Sequence, residues 1–205
     1  ATLYADDMWD AVLEAGKKHN LMVIAPAHHR RIQAGILSWG QDLDHEHNPF
    51  QCNLGYQVSL SGKGEWEKKG DYIGKQALEK MKADLKDGHK PYKLQLVGFE
   101  IGGKPIDEYA PDFWLVSPGD GGDPCGFITS PWYHPEKGKN IAMGYIPFDG
   151  TLNPNGFPKW ELGKKFKVHL TDIYADEPGV PVDAVTVDVP FTESFNANTR
   201  EVVKG

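Results

Sequence analysis

After Pro91 the sequence consists of short apolar segments separated by turns rich in glycine and proline. Short strands with this punctuation are typical of antiparallel barrels, which close every sheet edge. The pattern therefore predicts a small antiparallel β-barrel of five or six strands over 91–191, followed by a polar tail over 192–205. The candidate strands are Leu94 to Phe99, Phe113 to Val116, Gly126 to Ser130, Ile141 to Ile146, Lys165 to Leu170 and Val182 to Val189.

Before Pro91 the apolar residues recur mainly at helical spacing. Three helices are predicted: one from Asp6 or Asp7 to about His19, one from His28 to Leu37 with Ile32, Ile36 and Leu37 inward, and one starting at Asp71 with Ile73, Ala77, Leu78 and Met81 on one face. Leu21 to Ala25 is predicted to be a short apolar strand or a buried extended run, and Tyr56 to Leu60 a strand. We expect an α+β chain with a helical and mixed part over 1–90 and a barrel domain with its tail over 91–205.

Composition narrows the class of protein. The chain has 205 residues, 40% hydrophobic and 25% charged, which is ordinary for a globular protein. Its net charge of −7 disfavours a nucleic-acid surface. The longest apolar run, Leu21 to Ala25, is too short to span a bilayer, and no signal segment opens the chain. We expect a soluble, cytoplasmic protein with neither nucleic acid nor membrane as partner. Because the sequence begins at Ala1, we interpret it as a fragment or a processed chain.

One window of the sequence is basic. From Ala15 to Gln41 there is no Asp or Glu. The second predicted helix begins inside this window with His28, His29, Arg30 and Arg31, where cations oppose the helix dipole. An unfavourable placement of charge at a helix start often marks a functional site. The cluster is predicted to hold an anion, or alternatively to face water or pair with acids elsewhere.

Other candidate residues allow both a functional and a structural interpretation. Trp39 is a candidate wall of a ligand hole or a packed core ring. Asp42, Asp44, His45 and His47 have the spacing of a metal cluster, but short polar loops of this kind are more often solvated turns. Trp132, Tyr133 and His134 form an aromatic cluster in a predicted loop. The two cysteines, Cys52 and Cys125, are expected to be free thiols. No spacing supports a Ser-His-Asp or Cys-His catalytic arrangement.

Five segments, in order, resemble the glycine-cleavage T-protein family. They are RIQAGILSWGQDLD at 31–44, NPFQCNLGYQVSL at 48–60, DYIGKQAL at 71–78, GKNIAMGYIP at 138–147 and DVPF at 188–191. The resemblance implies a three-domain enzyme that holds tetrahydrofolate in a central hole and ends in an antiparallel barrel, with 1–90 as the C-terminal portion of the folate-binding core and its linker helices. It also implies that the catalytic residues lie upstream of Ala1, in an N-terminal part of the same enzyme that would be this chain's partner. We expect His28, Arg31 and Trp39 to contact tetrahydrofolate, and we expect no metal.

Departures from the family motif bear on the reaction. Where the family usually has A-R-D-x-L-R-L-E-A-G, this chain has Ala27 for the first Arg, His28 for the Asp and Gln33 for the Glu. The segments ILSWGQDLD and NPFQC look closer to the dimethylsulfoniopropionate demethylase branch, so transfer of a methyl group from a small donor to tetrahydrofolate is the main prediction. The alternatives are glycine-cleavage aminomethyl transfer, aryl O-demethylation, a sugar-binding barrel module and a barrel that only scaffolds a site built elsewhere.

Overall fold

The computed structural model describes residues 2–24, 27–60, 71–110 and 112–191. Six strands form a closed barrel in which every neighbouring pair is antiparallel, in the order β1-β4-β3-β2-β5-β6. The strands are β1 (Leu94–Ile101), β2 (Trp114–Pro118), β3 (Gly126–His134), β4 (Lys139–Pro147), β5 (Lys165–Val168) and β6 (Val182–Val187). The predicted α+β class and barrel are confirmed, and no helix occurs in the described part of 91–191.

Two apolar layers hold strand β4, which explains why it is buried along nearly its whole length. Ala142 and Ile146 belong to the barrel interior together with Val97 and Phe99. On the outer side of the barrel, Ile141, Met143 and Tyr145 pack with Ile32 and Phe191. Strands covered on both faces are continuously apolar rather than alternating, which is what the sequence of β4 shows.

Close strand packing requires glycine at more than one barrel position, and the approach is closest at Gly126. A Cβ atom added at Gly126 would lie 2.0 Å from the carbonyl oxygen of Tyr145, which is backbone and has little room to move. A glycine inside a strand commonly marks such a close approach.

The helical part comprises α1 (Ala5–Gly16), α2 (His28–Gln33) and α3 (Lys75–Lys86), with short 3₁₀ turns at Thr2–Tyr4, Lys17–His19 and Gly55–Gln57. None of the described helices is long and apolar enough to cross a membrane. Helix α1 has Asp6 and Asp7 in its first turn, but neither caps it. The polar tail predicted over 192–205 lies outside the described residues, and the division into domains at residue 90 stays a prediction.

Helix α2 is shorter than predicted because a Schellman motif ends it. Gly35 is left-handed, with φ of 67°, and its N–H bonds the Ile32 carbonyl while the Ile36 N–H bonds that of Arg31. Of the three residues expected inward, Ile32 is buried and Leu37 packs against the same cluster, but Ile36 is exposed.

Helix α3 starts four residues later than predicted, after Gly74 adopts a left-handed conformation with φ of 89°. Ile73 precedes this turn and is therefore fully exposed instead of inward. Leu78 and Met81 do point inward, where they pack against the buried cluster of Phe50, Leu85 and Phe148.

Three further predictions about local structure were wrong. Tyr56 to Leu60 is not a strand: a 3₁₀ turn occupies Gly55–Gln57, and Tyr56 points to solvent. Trp132 to His134 lies in β3 rather than in a loop, because it pairs with the start of β4. Leu21 to Ile24 is exposed among the described residues, although four consecutive apolar residues predicted burial.

Candidate functional site

Arg31 on α2 is the centre of a polar network that joins the helix to the following loop and to the barrel. Its Nη1 donates to the Asp42 carboxylate at 2.7 Å and to the Ile36 carbonyl at 3.1 Å. Its Nη2 donates to Gln41 Oε1 and to Ser130 Oγ, both at 2.8 Å. The Nε donates to His28 Nδ1 at 3.3 Å. A guanidinium carries five N–H groups, so every one of them has an acceptor inside the chain.

The fully buried Asp42 carboxylate is the counter-charge of Arg31. Its Oδ1 accepts hydrogen bonds from Thr129 Oγ1 at 2.6 Å and Ser130 Oγ at 2.5 Å. Its Oδ2 accepts from Arg31 and from the Ser38 backbone N–H at 2.8 Å. Buried charges persist only when they are paired and hydrogen-bonded, and this carboxylate is both. We call Arg31, Asp42, Gln41, Thr129 and Ser130 the Arg31–Asp42 network.

Tyr145 on β4 extends the network by one bond. Its hydroxyl donates to the Asp42 backbone carbonyl at 2.6 Å. Burial, with a smaller contribution from the neighbouring Cys52, raises the pKa of the Tyr145 hydroxyl, so it remains a protonated donor. The loop from Ser38 to Asp42 is therefore tied to the barrel through both side-chain and backbone groups.

The predicted direct contact between Arg31 and tetrahydrofolate stays a prediction, but the geometry assigns this side chain another task. Its side chain is only 16% exposed and has no N–H left for an external anion. It orients the loop after α2. Its neighbour Arg30 is exposed, as expected for a residue about 100° further round the helix.

His28 sits in an aromatic stack at the surface. Its ring lies parallel to that of Trp132, with centroids 6.2 Å apart, and tilted against that of Tyr109 at 4.8 Å. Burial and, secondarily, the Arg31 charge lower the pKa of His28, while Asp42 opposes them. The imidazole is therefore neutral at pH 7 and presents a flat, polarisable edge rather than a charge. The predicted contact of His28 with tetrahydrofolate stays a prediction, and a neutral ring would make that contact by packing rather than by charge.

Trp39 projects from the loop that the network holds. The loop closes through a bridge between Trp39 and Leu43 and a hydrogen bond from the Gly40 N–H to the Leu43 carbonyl at 2.8 Å. The Trp39 side chain is 61% exposed, with its ring meeting that of His45 edge-on at 4.8 Å. An exposed tryptophan on an anchored loop is suited to contact a flat ligand.

The Arg31–Asp42 network links His28 to the loop that carries Trp39, without bringing His28 and Trp39 into direct contact. His28 bonds Arg31, Arg31 bonds Asp42, and Asp42 bonds the backbone next to Trp39. Sequence reasoning missed Asp42 as the partner of Arg31, as well as Gln41 and Ser130. The signal available was the lack of any acid near Arg31 before Asp42.

A metal at the Asp42 to His47 segment receives no support from the described residues, among which no group of three His, Cys, Asp or Glu side chains is arranged to hold one. Asp42 is committed to Arg31 and the two hydroxyls. The exposed Asp44 instead bonds its own loop. The Glu46 N–H and then the His47 side chain lower the pKa of its carboxyl.

Comparison with known proteins bears on what the barrel is. Residues 95–193 match the sequence profile of the glycine cleavage T-protein C-terminal barrel domain. The barrel is therefore similar in sequence to a T-protein C-terminal domain along its whole length. The matched region comprises the closed sheet, and α2, which packs on the outside of that sheet, precedes the match.

The similarity extends beyond the barrel. The chain is 27% identical over 193 residues to an aminomethyltransferase of Chloroherpeton thalassium, covering 93% of this chain and 44% of that protein. It is 31% identical over 144 residues to an aminomethyltransferase of Symbiobacterium thermophilum, covering 68% of this chain and 33% of the relative. The chain therefore spans less than half the length of the curated relatives it matches.

A solved structure supports the fold. The crystal structure of glycine cleavage system aminomethyltransferase T from Bartonella henselae matches with a TM-score of 0.54 over 80% of this chain and 37% of that one. Sequence identity is 20%, so the likeness concerns the fold. The T-protein superfamily expected from the sequence motifs is supported, whereas the demethylase branch within it finds no support among these relatives.

Proposed function

We propose that this chain is the C-terminal part of a longer tetrahydrofolate-dependent one-carbon transferase, and that the reaction is aminomethyl transfer of the glycine-cleavage type. The observation that carries the proposal is a similarity to an aminomethyltransferase over 193 residues, which includes the helical part as well as the barrel. Methyl transfer from a small donor such as dimethylsulfoniopropionate was the main prediction from sequence. The relatives favour the aminomethyl alternative over it.

The described residues fit tetrahydrofolate in part. Its ring systems are flat and its glutamate tail is anionic. The exposed Trp39 and the half-buried stack of His28 on Trp132 offer aromatic surface to a flat ring. For the tail, Arg30 is an exposed cation on the same helix as His28, whereas the donors of Arg31 are used within the chain. When bound, the cofactor would accept the one-carbon unit.

The contribution of this chain to such a reaction is positioning. One-carbon transfer to a bound acceptor depends on holding two reactants in line, which is worth several orders of magnitude in rate. The Arg31–Asp42 network fixes the loop that carries Trp39, and the barrel fixes the network through Thr129 and Ser130. We expect the groups that touch the reacting atoms to lie in the part of the protein outside this chain.

The test is transfer to tetrahydrofolate by the full-length protein against a panel of donors. The panel comprises the aminomethyl-lipoyl carrier protein, dimethylsulfoniopropionate and vanillate, with formation of methylene- or methyltetrahydrofolate as the readout. Aminomethyl-lipoyl turnover alone supports the proposal. Turnover of dimethylsulfoniopropionate or vanillate alone reassigns the reaction to demethylation, and failure with all three rejects one-carbon transfer from these donors.

The isolated 205-residue chain provides the matching negative control. We expect little or no turnover from it, because the catalytic contacts are expected upstream of Ala1. Robust turnover by this chain alone would contradict that expectation and place the catalytic groups within the residues described above.

A further inference from the structure

Helix α1 carries an apolar stripe with no cover among the described residues. Met8, Trp9 and Val12 recur at helical spacing, and all three are more than half exposed. The opposite side carries Asp6, Asp7, Asp10 and Glu14. The elements that α1 contacts repeatedly are the short helical turns at its two ends. A surface helix normally turns such a stripe toward a core.

The segment after α1 has the same property. Met22, Val23 and Ile24 are exposed by 79%, 60% and 74%, and their backbone groups make no hydrogen bond to any residue that the structure describes. Just before them, the Leu21 N–H bonds the Gly16 carbonyl at 3.1 Å, which returns the chain to the end of α1. The exposed segment therefore starts beside the C-terminal end of α1, close to its apolar stripe.

Neither feature is stable in water by itself. A helix of 12 residues is marginal without tertiary packing, so α1 needs its stripe buried. Backbone groups that become buried must find hydrogen-bond partners. A continuous apolar run of this length is typical of a strand buried on both faces of a sheet. Together the two features suit a partner that offers both an apolar surface and an open strand edge.

The length of the relatives indicates what the partner is. The chain aligns over 93% of its own length with a relative of which it covers only 44%. More than half of a relative of that size is thus unmatched by this chain. The uncovered features lie in the first 24 residues, on the side of the barrel sequence that the upstream part would adjoin.

We propose that an apolar surface at the start of this chain docks onto the polypeptide that precedes Ala1 in the longer protein. This N-terminal apolar surface consists of Met8, Trp9, Val12, Met22, Val23 and Ile24. In this arrangement Met22–Ile24 adds as a strand to a sheet of that polypeptide, and α1 packs its stripe against the same sheet. The inference rests on the proposed function, which requires that the longer protein exists. It concerns assembly and not chemistry.

The test is association in trans. The upstream polypeptide, with an affinity tag, and the untagged 205-residue chain are expressed together, so that neither has to fold alone. The purified material is sized by light scattering. We expect a one-to-one complex, which Val12→Asp or Val23→Asp weakens about tenfold or more, because each buries a charge in an apolar contact. Val23→Pro should weaken it more than Val23→Ala, since proline removes an N–H needed for strand pairing.

The matched control is Ile173→Asp, which changes an exposed apolar residue of the barrel and should leave the complex intact. Thermal unfolding of the barrel should be unchanged in all variants, which separates lost docking from lost folding. The proposal is overturned if the wild-type chain forms no complex, if all the Asp variants including the control have equal effects, or if the chain self-associates through these residues. A reading frame that begins at Ala1 would also overturn it. A complex that forms but transfers no one-carbon unit would refute the proposed function and leave the docking surface standing.

Discussion

The Arg31–Asp42 network makes a strong prediction about stability, tested by Asp42→Ala. The carboxylate accepts four hydrogen bonds, at 2.7, 2.8, 2.6 and 2.5 Å. Removing it leaves the Arg31 guanidinium mostly buried without a counter-charge. Removal of one partner from a buried ion pair costs about 3–5 kcal/mol. For a chain of this size each kcal/mol lowers Tm by about 2–4 °C, so we expect a fall of about 6–20 °C in calorimetry.

The control and a double-mutant cycle test the reasoning separately. Asp44→Asn changes an exposed carboxylate in the same loop and should shift stability by less than about 0.5 kcal/mol. Arg31→Met combined with Asp42→Leu replaces the whole pair by apolar groups, and should be less destabilised than the sum of the two single variants by about 1–3 kcal/mol. If Asp42→Ala stays within about 1 kcal/mol of wild type, or if the two substitutions are additive, the network is not a buried ion pair that anchors the loop.

Three further outcomes are expected. In the full-length protein, His28→Ala should raise the KM for tetrahydrofolate more than it lowers kcat. The rise in KM should be similar at low and high salt, because a neutral ring makes a contact that salt does not screen. Arg30→Ala should raise the KM only at low salt. Burial lowers the pKa of His134, so the unfolded chain takes up the proton first and calorimetric stability should fall as pH drops below about 6.5; His134→Gln should flatten this dependence, and an unchanged slope would count against it. Gly126→Ala should cost about 3 kcal/mol or more in denaturant unfolding, because its methyl would meet the Tyr145 carbonyl; a cost below about 1 kcal/mol would show that the strands separate easily.

The sequence by itself predicted the barrel and the similarity to the T-protein superfamily. Six apolar segments broken by glycine and proline are local signals, and each one matches a strand of the closed sheet to within a few residues, except that β3 runs on to His134. The motif order identified the T-protein superfamily because it needs only the linear text. The left-handed glycines at 35 and 74 ended α2 and preceded α3, a local effect that the helix predictions did not use.

Only the tertiary structure decided which candidate residues are available to a ligand. The sequence pattern alone leaves Arg31 as a candidate anion ligand, because spacing does not show that the loop after α2 folds back and places Gln41 and Asp42 on its guanidinium. A further N–H of the guanidinium bonds Ser130, which lies 99 residues further along the chain. The sequence pattern predicts that Asp42 lies in a polar turn, and only the packing of β3 beside α2 places two hydroxyls on its carboxylate. The exposure of Leu21 to Ile24 contradicts its apolar pattern for a related reason. Local pattern reports what a segment needs to bury, whereas the fold determines whether a partner is present to bury it.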